Sequence, residues 1–451
     1  MLKKAAALGL AFALLSAPML ADEREVPKGI PHLDHVFVIM MENHGYQQVI
    51  NNPNEPYLNS LIANKQVNLA TNYFAVGHPS LTNYLEIVGG SNFGIRSDNA
   101  PDWHDLTCSP NIVTGVVNAD DGAGNAVPAP VPFETNNICP ISGEGMDAVT
   151  PAVDTWNEVT LPQFPYLADI DGIKSVPAAY TKGKSIGDQL VRRGLSWKSY
   201  QESLPVTGAD LVNYSNGTAS NLTDFTSLAP LTSSSVVQAY AVKHNPFAYF
   251  QSVQEGTEPG NSLGNVVGWD GPNGLYADLA RDTVPSLAFI APNQCDDQHG
   301  RGNGDAFCAF DPGQPSLNGL TNGTQVGLNG GLILQGDTTI ERLINAIINA
   351  PVWNEGRTAI VIVWDENDYS GISTMPNGLF PPQNQNTVVL TVQTNYGGDV
   401  GIQSDKFYDS FSLLKSLESG FRLPCLNHAC DEHVNVMRDL FGGHHGDDDD
   451  E

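Results

Sequence analysis

Two stretches far apart in the chain share one hydrophobic pattern. Residues 36–41 (VFVIMM) are unbroken in apolar character and stop at Glu42, Asn43 and His44. Residues 359–364 (AIVIVW) repeat the design and stop at Asp365, Glu366 and, two residues on, Asp368. Short apolar runs of this kind suit strands buried on both faces, as in a parallel sheet covered by helices. Ligands of such sheets bind just past the carboxyl ends of the strands, which is where these polar residues fall. If the two strands are neighbours, their acids converge on one point. Carboxylates packed together raise one another's pKa unless a cation neutralises them, so a divalent metal is the simplest reading. The alternative is an acid-rimmed sheet edge meeting water.

Between these strands, the pattern predicts helices over 57–65, 80–88 and 185–193. The second opens after Pro79 and stops at Gly89 and Gly90; the third stops at Gly194. Residues 195–200 read as a strand, and 246–253, 286–292 and 388–394 as further core segments. Residues 338–349 form an amphipathic helix leading into the second acid-tipped strand. Alternating helices and strands predict an α/β fold with a mostly parallel, doubly wound sheet. Two stretches without periodicity, about 97–165 and 206–235, are expected as loop-rich insertions at the rim of the site. With 44 Gly and 30 Pro among 451 residues, a large loop content is expected.

Composition narrows the partners. The chain has 21 basic and 50 acidic residues, a net charge of −29, which repels nucleic acid and anionic lipid. Lys3 and Lys4, the apolar residues 5–15 and the small residues before Asp22 have the form of a secretory signal cut after Ala21. No later run is long enough for a transmembrane helix. A secreted or periplasmic protein is expected: one α/β domain over 22–441 and a solvated acidic tail over 442–451. The six cysteines fall in three local pairs, Cys108 with Cys139, Cys295 with Cys308 and Cys425 with Cys430, read as disulfides of an oxidising compartment.

Several residues offer nucleophiles and phosphate-binding groups. Ser185 stands at a predicted helix N-terminus, where free N–H groups and the helix dipole attract an anion; the same position suits an ordinary N-cap. His78 precedes the hydroxyls of Ser80 and Thr82 at the start of another helix. His299 follows a predicted strand, with Asp296 and Asp297 beside it.

Together these residues resemble a bacterial phosphoesterase family that includes secreted acid phosphatases and phosphatidylcholine-preferring phospholipases C. Glu42-Asn43-His44-Gly45-Tyr46 is similar to the family's E-N-H-S-[YF] signature, and H-P-S-L-T-N-Y at 78–84 to its H-x-S-x-x-N-Y segment. S-I-G-D-Q-L at 185–190, N-P-F-A-Y-F at 245–250, P-N-Q-C-D-D-Q-H at 292–299 and V-I-V-W-D-E at 361–366 follow in family order.

The resemblance implies a three-layer, alkaline-phosphatase-like α/β/α fold. It implies a divalent metal held by Glu42, Asn43, Asp365, Glu366 and Ser185, with Ser185 as nucleophile and His78 and His299 facing the phosphoryl group. Ser80 or Thr82 is the alternative nucleophile. Gly45 departs from the signature serine. Oxygen ligands favour Mg, Mn or Ca, while the superfamily includes zinc. The expected activity is hydrolysis of phosphate monoesters through a phosphoserine, with protonation of the leaving group by a histidine such as His299. A phospholipase C, or a non-catalytic binding protein on the same fold, is the rival reading.

Overall fold

In a computed structural model, residues 25–77, 80–93, 95, 183–204, 240–300, 330–367, 386–398 and 400–443 are described, with two short strands near the first cysteine pair. The strands are β1 (His35–Met41), β2 (Asn68–Ala70), β3 (Tyr73–Phe74), β4 (Cys108–Pro110), β5 (Asn137–Cys139) and β6 (Trp197–Gln201). They continue with β7 (Val266–Val267), β8 (Leu287–Ala291), β9 (Thr358–Trp364), β10 (Leu390–Thr394), β11 (Gln403–Ser404) and β12 (Tyr408–Asp409). The α-helices are α1 (Tyr46–Val49), α2 (Pro56–Ala63), α3 (Ser80–Gly89), α4 (Ile186–Arg192), α5 (Gln251–Glu255), α6 (Leu275–Arg281), α7 (Gly330–Ile348) and α8 (Ser410–Phe421).

Eight strands form one sheet in the order β11-β2-β10-β9-β1-β8-β6-β7. β10 alone runs against its neighbours; every other pairing in the sheet is parallel. The two acid-tipped runs, β1 and β9, lie side by side at its centre, with β8 on the other flank of β1. Residues 36–41 and 359–364 are at most 1% exposed, on both alternating faces, so this part of the sheet is covered from both sides. α2 and α6 pack on α7, and α3, α4 and α8 pack together, which gives the layered α/β arrangement expected.

Several predicted elements differ at their ends. α7 begins at Gly330 rather than 338; its extra turns start with a glycine pair that carries no helix signal, and burial holds them. Asp337 in that extension accepts from the backbone N–H groups of Tyr57 and Leu58 at 2.7 and 2.9 Å, tying it to the start of α2. The segment 246–253 divides into a 3₁₀ turn, Pro246–Tyr249, and α5. α8 is absent from the pattern reading above although Asp409 caps it, accepting from Ser412 N–H at 2.8 Å.

Cys425 and Cys430 are bridged, and Cys295 is disulfide-bonded. β4 and β5 pair in parallel and carry Cys108 and Cys139. Cys308, the proposed signal segment, the insertion over 206–235 and residues 444–451 lie outside the described residues. No described helix is long and apolar enough to cross a membrane.

Candidate active site

The parallel register brings the polar ends of three strands to one place. Met41 of β1 lies opposite Trp364 of β9, and the alignment continues past the strands: Asp365 N–H donates to Met41 O at 3.0 Å. Asn43 takes a left-handed backbone, φ 62°, a conformation asparagine tolerates. Its N–H then donates to Asp365 Oδ1 at 3.1 Å. From β8, the following loop folds back so that Asp297 O accepts from Glu42 N–H at 2.8 Å. Asp297 Oδ1 accepts from His299 N–H at 2.7 Å, fixing the histidine beside the acids. At Gly45, which departs from the signature serine, a Cβ would sit 3.1 Å from the Asn367 Cβ.

The hydroxyl at the centre belongs to Ser80, the first residue of α3. Ser80 Oγ lies 3.0 Å from Glu42 Oε2 and 3.3 Å from Glu366 Oε1, each able to accept its proton. Lys243 Nζ is 3.5 Å from the same oxygen. Asn83, one turn on, accepts from the N–H groups of Val76 and Gly77 and donates to Gly77 O and Glu366 Oε2. That residue anchors the chain entering α3. His44, buried behind the acids with Nδ1 3.2 Å from Glu42 O, has its pKa lowered to about 4 by burial.

His244 is clamped between two carboxylates, its Nε2 3.0 Å from Glu42 Oε1 and its Nδ1 3.2 Å from Asp297 Oδ2. Its ring stacks on Tyr84. His299 Nδ1 lies 2.6 Å from Gly300 O. A carbonyl can only accept, so Nδ1 carries the proton and Nε2 presents a lone pair to Lys243 Nζ at 3.0 Å. In this tautomer His299 has no Nε2 proton to give a leaving group; it has instead the arrangement of a histidine ligand.

Ser185 is placed differently from the expectation. It is buried at the N-cap of α4, where its N–H and Oγ both lie within hydrogen-bond distance of Asp188 Oδ2, at 2.9 and 3.2 Å. Ser252 and Asn261 also donate to Asp188. Glu42, Asn43, Asp365, Glu366 and His299 come together; among the described residues no hydrogen bond links Ser185 to them. The first residue of α3 is the one held by acids that follow β1 and β9. His78 lies outside the described residues.

Lys243, His244 and Asn83 are site residues that the pattern reading did not select. A signal existed for the first two: the run A-Y-A-V-K-H-N-P-F-A-Y-F at 239–250 embeds a lysine and a histidine among apolar residues, where only pairing makes a buried charge tolerable.

Glu42, Asp297 and Asp365 all have carboxyl pKa values pushed well above the ordinary range, first by burial. The next cause is a neighbouring acid: Asp365 for Glu42, Glu42 for Asp297 and Glu366 for Asp365. Such a cluster is costly without a cation. The donor set fits one. Asp365 Oδ2 is buried without a hydrogen-bond partner among the described residues. Ligand atoms of Glu42, His244 and His299 lie within 4.8 Å of one another.

An α/β sheet with acids, a serine and histidines gathered at its strand ends defines a hydrolase-like class of site. The Phosphoesterase family model matches residues 51–308, more than half of the chain, and the protein belongs to that family. It is 24% identical over 263 residues to an acid phosphatase of Aspergillus fumigatus, covering 58% of this chain and 36% of that protein. Identity is 22% over 406 residues with a probable acid phosphatase of Kluyveromyces lactis, covering 89% and 61%. It is 20% over 347 residues with a phosphatidylinositol-3-phosphatase of Mycobacterium tuberculosis, covering 77% and 68%. The chain thus spans less than two thirds of the length of the first two relatives. Among solved structures, a protein in the alkaline phosphatase superfamily from Vibrio parahaemolyticus aligns over 92% of this chain and 74% of its own, with a TM-score of 0.43 and 10% identity.

Proposed function

We propose that the protein hydrolyses phosphate monoesters, in the manner of an acid phosphatase, through a phosphoserine formed on Ser80. The observation that carries this reading is the Ser80 hydroxyl held between Glu42 and Glu366 at the ends of the central strands. Ser80 Oγ attacks phosphorus, its proton passing to one of those carboxylates. The P–O bond to the alcohol breaks, and the alcohol oxygen leaves with the electron pair and takes a proton from water. The hydroxide so formed then attacks the phosphoserine, the P–Oγ bond breaks, and Ser80 recovers its proton from the carboxylate as phosphate departs.

Glu42, Asn43, Asp365 and Glu366, with Ser80 Oγ and the lone pair of His299, are the residues that would hold a divalent cation. When bound, such an ion lowers the pKa of a coordinated hydroxyl and neutralises the surrounding acids. With a histidine among the donors, zinc joins Mg, Mn and Ca as a candidate. His78, two residues before Ser80, belongs beside the phosphoryl group in this reading. The acid phosphatase names of the relatives support a monoester substrate, and export to the cell exterior or periplasm accompanies the proposal.

The test is hydrolysis of p-nitrophenyl phosphate and of p-nitrophenyl phosphorylcholine, each with and without chelator, by wild type and Ser80→Ala. Chelator-sensitive release from the monoester is expected, with Ser80→Ala lowering kcat about a thousandfold or more while keeping the fold. Preference for the phosphorylcholine ester would make the enzyme a phospholipase C. Release from neither substrate by the metal-loaded wild type would favour a binding protein.

A further inference from the structure

Lys243 is fully buried, on the 3₁₀ turn Val242–His244. A buried ammonium is costly unless it is paired. Its neighbours are unusual for a merely structural lysine: the hydroxyl of Ser80 at 3.5 Å and the Nε2 lone pair of His299 at 3.0 Å. It is also close enough to Glu42, Asp297 and Asp365 to oppose the rise in all three of their pKa values. The lysine therefore stands inside the carboxylate cluster, next to the oxygen proposed to attack phosphorus.

A cation at that position faces two demands. The acids of the site attract it, and so does any anion brought to Ser80. A divalent ion bound by the acids would satisfy the first demand and take the His299 lone pair. Lys243 Nζ, 3.5 Å from Ser80 Oγ, stands within reach of the second. Its three N–H donors on a flexible stem suit non-bridging phosphoryl oxygens, whose charge is what a phosphoryl-transfer site must stabilise.

Building on the proposed phosphatase activity, we propose that Lys243 is a catalytic residue whose ammonium contacts the non-bridging oxygens of the phosphoryl group as Ser80 attacks. The lysine acts as a fixed positive charge and transfers no proton.

Lys243→Met removes the charge and keeps much of the stem. Expected are a fall in kcat on p-nitrophenyl phosphate of about a hundredfold or more, a larger loss of affinity for orthovanadate than for inorganic phosphate, and a metal content equal to that of wild type. Turnover within about threefold of wild type, or loss of bound metal in parallel with loss of turnover, overturns the proposal. The second result would make Lys243 a counter-charge for the acids.

If Lys243→Met does not fold, a crystal structure of the wild type with orthovanadate decides. A vanadate attached to Ser80 with Lys243 Nζ at about 3 Å from a vanadate oxygen supports the proposal; the same adduct with Nζ turned away overturns it and leaves the Ser80 reading intact. A wild type that neither hydrolyses phosphate esters nor binds vanadate at Ser80 removes the reading beneath it.

Discussion

Two serines stand at helix starts, and their surroundings separate them. Ser80 Oγ faces Glu42 and Glu366, whereas Ser185 Oγ faces Asp188 within its own helix. Ser185→Ala is expected to leave turnover within about threefold of wild type and to lower stability by about 1 kcal/mol, the usual worth of an N-cap. Activity assays paired with urea unfolding check both halves; a large loss of turnover in a folded variant would return the nucleophile to α4. At this scale the acids were legible, because a run of apolar residues that ends in carboxylates announces a strand and its tip together. The serine was harder, since a hydroxyl before a helix reads the same whether it caps or attacks. What distinguishes them is the neighbour supplied by another strand, and one chain's local pattern does not contain that neighbour.

The loop after β8 shows how elements, rather than single residues, hold the site. Arg342 of α7 bridges Glu202, just beyond β6, and Asp296, at 3.2 and 3.1 Å. Gln335 adds a bond to the other oxygen of Asp296 at 2.7 Å. On the far side of the loop, Gln298 takes φ 81° and uses its whole amide: it donates to Glu55 Oε2 and Ile333 O and accepts from Trp364 Nε1. Asp297 and His299 are thereby set from α7, from the residue before α2 and from the end of β9. Arg342→Met leaves Glu202 and Asp296 buried without their cation, and a loss of about 3 kcal/mol is expected, read from the denaturant midpoint at unchanged m-value. A loss under about 0.5 kcal/mol would mean that the acids find other partners. The helix that provides this support was legible from Thr338 onward, where the amphipathic period is clean. Its first turns carry Gly330, Gly331 and Gly336, which weaken the helical signal there. Gly336 is needed because a Cβ there would lie 2.2 Å from the Gln298 side chain, a constraint set by tertiary contact.

At the scale of the whole molecule, two buried carboxyls away from the site favour the folded state under acid conditions. Asp337 of α7, which accepts from the start of α2, and Asp409, at the cap of α8, both have pKa values raised to about 6, chiefly by burial. A carboxyl whose folded pKa exceeds its unfolded value, near 4, binds its proton more tightly in the folded protein. Its stabilising contribution is complete below pH 4 and is lost as pH rises through 6, by roughly 3 kcal/mol for each group. Repulsion within a chain of net charge −29 acts in the same direction. Thermal midpoints are therefore expected to be higher at pH 5 than at pH 7.5, and the double variant Asp337→Asn, Asp409→Asn should show a shallower slope. An equal slope in wild type and double variant would exclude these two carboxyls as its source.

The pairing of Met41 with Trp364 has one more consequence, which concerns counting rather than chemistry. Side chains alternate faces along a strand, so a register slip of one residue carries every later side chain to the opposite side. One residue inserted in β1 or β9 would move Glu42 or Asp365 by about 3.3 Å and turn it away from its partner, with every residue type still present. Both strands are seven residues long, and related chains that keep this site should preserve that spacing more strictly than the apolar letters that fill it. An insertion scan through residues 36–41 and 359–364 is therefore expected to abolish binding of the proposed divalent cation at positions where substitution of one aliphatic residue by another leaves it intact.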